Sequence, residues 1–206
     1  YFDFHVDWGD GISEVWPSGI TTSVEHFYAH PGTYYVSVTG HGLDSVVLVG
    51  NLAGAGRIAR LGMKHLVNLT DFRIEFGPGP EVVDLKHNRR LNVVAYYPHS
   101  FDANPTLRKI MIPNYANIYQ LELVNCTNLE AESLNGVIDA IHHQIVTKGR
   151  LYGDFIYHTW EDPNAPVATP SEASLEKLRE MKHTYNWLVV PDPDGIMLVV
   201  YAEYDE

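Results

Sequence analysis

The chain has a single cysteine, Cys126, in 206 residues. One thiol excludes an intrachain disulfide, a disulfide-stapled scaffold and a Cys-based zinc site. Positive charge is scarce too: 14 Lys and Arg stand against 26 Asp and Glu, a formal net charge of −12. A field of that sign repels phosphate backbones and anionic lipid surfaces, so no nucleic-acid partner is expected. No apolar run approaches about eighteen residues, so no membrane insertion is expected within the chain. The sequence also lacks Gly-x-Ser-x-Gly, His-Glu-x-x-His, a Gly-Lys-Ser phosphate loop and Gly-x-Gly-x-x-Gly. Gly54-Ala55-Gly56 is too short to stand in for the last of these. Neither enzymatic activity nor a cofactor is expected. What is present is an ordinary apolar fraction of 45%, enough to core one large domain or two small ones.

Residues 1–40 read as β-structure. Phe2, Phe4, Val6 and Trp8 alternate with polar residues, and Val36 and Val38 alternate with Ser37 and Thr39. Trp8-Gly9-Asp10-Gly11 is expected to turn, because Gly tolerates positive φ and Asp accepts backbone hydrogen bonds two residues on. Pro31-Gly32 is a second turn. Val6-Asp7-Trp8-Gly9-Asp10-Gly11 and Pro31-Gly32-Thr33-Tyr34-Tyr35-Val36 together resemble the core of a PKD domain, an immunoglobulin-like β-sandwich of extracellular proteins. The resemblance implies buried Trp8 and Tyr34, and strands that precede Phe2 unless the unit is shortened. The chain enters this strand at once and without Met, so a signal or anchor region is expected ahead of it.

Residues 41–130 carry a recurring apolar-x-x-apolar-x-apolar pattern: Leu43-Val46-Leu48, Leu69-Phe72-Ile74, Leu91-Val94-Tyr96, Leu107-Ile110-Ile112 and Ile118-Leu121-Leu123. A second echo sets Val83-Asp84-Leu85 with Asn88 and Leu91 against Leu121-Glu122-Leu123 with Cys126 and Leu129. The pattern resembles degenerate leucine-rich repeats, which implies one short strand of a parallel sheet per repeat. On that reading Val46, Leu48, Phe72, Ile74, Val94, Ile110, Ile112, Leu121 and Leu123 share one sheet. The inner Asn or Cys bonds the backbone of the turn between coils. Gly77-Pro78-Gly79-Pro80 breaks the array as a loop.

Residues 131–206 read as a terminal αβ cap. Leu134, Val137, Ile138, Ile141 and Ile145 form a helical stripe that Gly149 ends. Leu151 to Tyr157 is a strand. Thr169-Pro170-Ser171-Glu172 reads as a capping box with Pro at the first helical position, opening a helix with Leu175, Leu178, Met181 and Tyr185 on one side. Trp187 to Val190 and Ile196 to Tyr201 read as a closing hairpin. The order of parts, with Leu134-Asn135-Gly136-Val137-Ile138 and Trp187-Leu188-Val189, resembles cell-surface leucine-rich-repeat proteins of Bacteroidetes. Glu130 departs from that pattern, because a small capping residue is expected there. The fold class expected is α+β: a small PKD-like β-unit (1–40), an irregular repeat sheet (41–130) and a C-terminal αβ cap (131–206).

Candidate chemistry is sparse. Asp7 and Asp10, with Asp3, invite a Ca²⁺ site, but six or more oxygens are needed, so both carboxylates are expected to hold the Gly turn instead. His26 and His30 flank a turn. His142 and His143 are adjacent on a helix and diverge by about 100°, so no metal is expected. Cys126 is expected to be a small buried hydrophobe. The repeat strands expose Asp71, Arg73, Glu75, Ala95, Tyr97, Lys109, Met111, Gln120 and Glu122, with Tyr96, Tyr115 and Tyr119 in or beside them. The expected binding residues are Arg73, Tyr97 and Lys109, an aromatic between two cations. The function expected is a non-catalytic extracellular binding or adhesion module of a bacterial surface. Its partner would be a host protein, a neighbouring surface protein or a glycan. A spacer that displays another domain is the alternative, and a polysaccharide-active enzyme is the least favoured.

Overall fold

The structure, a computed structural model, describes residues 4–17, 26–40, 42–49, 61–75, 79–97, 106–150, 152–159 and 162–195. The chain divides into two compact units, Tyr1–Leu43 and Asp44–Glu206. Overall it is α+β, with both parallel and antiparallel sheets.

The first unit is a three-stranded antiparallel sheet. It contains β1 (Phe4–Asp7), β2 (Ser13–Trp16) and β3 (Ser37–Thr39) in the order β2-β1-β3. Among its described residues there is no helix. The turn after β1 forms as the residues dictate: the Gly9 N–H donates to Asp7 Oδ1 at 2.9 Å, and the Ile12 N–H to Asp10 Oδ1 at 3.0 Å. Gly9 has φ +78°, and a Cβ there would lie 2.6 Å from the Tyr35 carbonyl oxygen, so only glycine fits. Val6 is fully buried, whereas Trp8 and Tyr34 are half-buried rather than enclosed. The described strands make a single layer, so the rings shelter one another by stacking. Trp8 lies on His26 at 4.6 Å between centroids, and Tyr28 on Tyr34 at 3.9 Å.

The second unit is built on a six-stranded sheet in the order β11-β10-β9-β7-β5-β4, with every pair parallel. Its strands are β4 (Ser45–Val49), β5 (Asp71–Glu75), β7 (Val93–Tyr97), β9 (Gln120–Leu123), β10 (Asp154–Ile156) and β11 (Leu188–Val190). Between them the chain visits a second layer: β6 (Val82–Asp84) and β8 (Lys109–Met111), paired in parallel, then α1 (Ala131–Lys148) and α2 (Glu172–Tyr185). α1 packs on β8 and α2, and α2 on β11. Ile110 and Ile112 therefore do not belong to the sheet of Phe72 and Leu121, contrary to the sequence expectation. β8 pairs with β6, not with β7 or β9. The apolar spacing marks an inward-facing strand without saying to which layer the strand belongs. The echo between residues 83–91 and 121–129 misleads in the same way, since Val83 lies on β6 and Leu121 on β9.

What the echo does mark is a turn. Met63, Leu66 and Leu69 are buried or half-buried three residues apart, as are Leu85, Asn88 and Leu91, then Leu123, Cys126 and Leu129. Asn88 ties two such turns together, its amide donating to the Met63 and Leu66 carbonyls at 2.9 and 2.8 Å. Cys126 reaches only the Val124 carbonyl, at 3.6 Å.

One core runs from Met63 to Val189, so α1, α2, β10 and β11 bury residues in the same cluster as β5, β7 and β9. The α1 stripe Leu134, Val137, Ile138, Ile141 and Ile145 is buried as its spacing requires, and Gly149 closes the helix at φ +64°. Glu130, at the N-cap of α1, gives no side-chain cap; its carboxylate takes Arg108 at 2.5 Å instead. α2 is capped by Ser171, whose hydroxyl accepts from the Ser174 N–H, so Pro170 precedes the cap rather than opening the helix. β11 pairs in parallel with β10. The expected hairpin partner, Ile196 to Tyr201, lies outside the described residues.

Candidate functional site

Register fixes what each face of the large sheet presents. Val46, Phe72, Val94, Leu121, Phe155 and Val189 form one inward row across all six strands. Alternation puts Arg73, Ala95 and Glu122 in a row on the other face. Arg73 is half-buried in that row, whereas Ala95 and Glu122 are buried, contrary to the exposure expected of them, and Asp71 holds the Arg73 guanidinium from both oxygens, at 2.9 and 3.0 Å. Tyr97 aligns with Glu75 rather than with Arg73, and its side chain lies outside the described residues. Lys109 is exposed on β8, in the other layer. It borders a groove of about 250 Å³ beside Glu130 and Glu132. The three residues therefore do not line up across one sheet.

A different cluster does converge, at the N-terminal rim of β9, β10 and β11. The backbone ladder continues one residue ahead of the strands: the Tyr119 N–H donates to Asn92 O, the Asp154 N–H to Tyr119 O and the Leu188 N–H to Gly153 O. This ladder brings the three preceding loops side by side around an open cleft of about 490 Å³. Tyr119 and Tyr152 line it, 42% and 73% exposed. Arg150 follows directly on the Gly149 cap of α1, and its guanidinium carbon lies 5.4 Å from the centre of the Tyr119 ring. Asn186, the left-handed cap of α2 at φ +54°, closes the far side.

The floor of the cleft is polar and tightly built. Asp154 opens β10, and its carboxyl is held above its ordinary range, first by burial and then by the neighbouring Glu122 carboxylate. Glu122 is itself 6% exposed and accepts from the Gln120 amide at 2.7 Å. Gly153 lies against the buried Trp187: a Cβ there would sit 2.7 Å from the Trp187 ring and 2.7 Å from the Tyr119 carbonyl oxygen. That oxygen is fixed in the ladder and cannot yield. Gly153→Ala is expected to lower stability by about 1–3 kcal/mol, as overpacking does, with a matching fall in the urea midpoint. An unchanged midpoint would show that the loop ahead of β10 adjusts freely.

The cleft has the pieces of a recognition site. Exposed rings offer flat faces, and a guanidinium, a carboxyl and an amide offer directed hydrogen bonds. Among the described residues no Ser, Thr, Cys or His lines it. Cys126 is elsewhere and fully buried, and burial pushes its thiol up to about 12. Asp10 accepts from or pairs with His26 at 2.7 Å, His142 meets Glu180 at 2.8 Å, and His143 packs edge-on to Tyr115. Among the described residues no three His, Cys, Asp or Glu come together as metal ligands. Among them, too, no helix is long and apolar enough to cross a membrane.

Of the cleft residues, only Tyr119 stands out in the sequence, as an aromatic beside a repeat strand. Arg150, Tyr152 and Asn186 come from loops and Asp154 from the first position of β10, and no motif joins them. A signal was available all the same: Gly149-Arg150 ends one helix and Asn186 the next, each a few residues ahead of a strand. Successive αβ units therefore deliver their loops to one rim. No family model, no curated protein and no solved structure matches this chain.

Proposed function

We propose that this chain is a non-catalytic extracellular binding or adhesion module that recognises a glycan or protein at the rim of its parallel sheet. The observation that carries the reading is the cleft of Tyr119, Arg150, Tyr152, Asp154 and Asn186, with two exposed rings on the segments that lead into β9 and β10. The ladder bonds of the Tyr119 N–H and carbonyl hold that residue's backbone in place, which lowers the entropy cost of ordering its ring on binding. The site moves from the sheet face around Arg73, Tyr97 and Lys109 to the rim because those three are split between layers.

The resemblance of the first unit to a PKD core, and of the Asn88-linked turns to leucine-rich repeats, supports a bacterial cell-surface setting. So does the absence of disulfide-forming cysteine pairs. The test is a glycan and host-protein binding array, followed by a Tyr119→Ala, Tyr152→Ala double variant on the ligand found. Loss of affinity by about tenfold or more is expected if the rings anchor the ligand. Unchanged affinity with an intact circular-dichroism spectrum would remove the site from the rim. An array with no ligand at all would favour a spacer that displays another domain.

A further inference from the structure

We infer that the rim cleft takes a carboxylate-bearing sugar, so that the ligand is an acidic glycan and Arg150 reads its carboxylate. The inference rests on the binding-module reading and narrows it.

Four other described arginines spend their donors on a side-chain partner, which Arg150 does not. Arg73 is held by Asp71, Arg108 by Glu130 and Arg179 by Glu172, while Arg90 donates to Asn68. Arg150 makes no side-chain hydrogen bond or ion pair among the described residues, although the Asp154 carboxyl lines the same cleft. Its guanidinium lies over Tyr119 instead. A guanidinium held over a ring without a hydrogen-bond partner among the described residues offers a fork of donors whose geometry matches a carboxylate.

The rest of the cleft suits a pyranose ring. A sugar presents one face of C–H groups and a rim of hydroxyls. Tyr152, 73% exposed, offers a ring face to the first. Asn186 and Asp154 offer a donor, an acceptor and a carboxyl to the second. Burial, and then the Glu122 carboxylate, raises the pKa of Asp154. The volume of about 490 Å³ falls within the range of small-ligand sites.

The net charge of −12 acts against any anion at long range. At physiological ionic strength, however, fields decay over about 8 Å, so a guanidinium in direct contact outweighs acids on distant faces. The association should therefore be modest in strength and sensitive to salt.

The experiment is isothermal titration of the whole chain with oligosaccharides of galacturonate, glucuronate and sialic acid, each paired with its carboxyl-reduced neutral form. At least one acidic form is expected to bind about tenfold or more tightly than its reduced partner, and less tightly as salt rises. Arg150→Gln should remove that preference, so that acidic and reduced forms bind alike. Arg150→Lys, which keeps charge but loses the fork, should restore only part of it. Circular dichroism checks that the variants fold.

Equal binding of acidic and reduced forms, or an acidic preference that survives Arg150→Gln, overturns the inference. So does binding of acidic peptides but none of the sugars. Neutral-sugar binding that Tyr119→Ala, Tyr152→Ala abolishes would overturn the acidic ligand and leave the binding module standing. Sugar binding that ignores the tyrosines would sink both.

Discussion

Phe155→Ala is expected to lower the unfolding free energy by about 3–5 kcal/mol, the range for removing a fully buried aromatic ring. Phe155 is the middle residue of β10 and is 0% exposed. Its inward neighbours in register are Leu121 on β9 and Val189 on β11, and the Tyr157 ring lies 5.2 Å away. β9 is held on its far side by β7, and β11, which pairs with β10 alone among the described residues, is backed by α2, so the surroundings close only part of the void. The same variant asks whether residues 131–206 form a body of their own. Phe155 belongs to a core that also holds Phe72 and Leu91, so the loss should appear as one shifted transition of the Asp44–Glu206 unit. Urea unfolding followed by far-ultraviolet circular dichroism reads both. A loss under about 1 kcal/mol, or a separate early transition confined to the helices, would contradict the shared core.

That shared core marks where the sequence could be read and where it could not. Helical stripes and Gly punctuation are local, and they predict α1 and its end at Gly149 almost residue by residue. The inward residues of β5, β7 and β9 were equally plain, because alternation is also local. Layer membership is not local. Ile110 has the same pattern as Leu121, yet its strand pairs with β6, since what decides is which strand lies alongside after each turn. The displaced site has the same origin. The pattern alone aligns Lys109 with Arg73, whereas Tyr119, Tyr152 and Asn186 meet only because the parallel ladder sets three loops edge to edge. In the first unit the Gly turn was fully legible from Asp7, Gly9 and Asp10, but the depth of burial of Trp8 was not. Burial depends on a second layer, and no pattern within the strands reports one.

Gln144→Ala is expected to cost about 2–5 kcal/mol and to loosen the wall of the cleft, though Gln144 touches no part of it. The residue sits on the buried side of α1, 3% exposed, where an apolar residue would be the ordinary choice. Its amide oxygen accepts from the Ile118 N–H at 3.2 Å, and its amide nitrogen donates to the Pro113 carbonyl at 2.7 Å. Those two backbone groups belong to the loop from β8 to β9, and Gln144 supplies what a ladder would have supplied. Ser133 does the same one layer over, bonding both the N–H and the carbonyl of Ile110. Each backbone group left buried without a partner costs about 1–3 kcal/mol, and the truncation adds a small cavity. Gln144→Glu separates the two bonds, because a carboxylate still accepts from Ile118 but cannot donate to Pro113. Its loss should exceed that of Gln144→Ala if charge burial dominates, and fall short of it if the Ile118 bond matters more. The functional consequence follows from Tyr119, which comes directly after Ile118. Amide exchange at Ile118 and Tyr119 should quicken in Gln144→Ala beyond what global destabilisation accounts for. Exchange that tracks global stability alone would show that the ladder holds Tyr119 without help from α1.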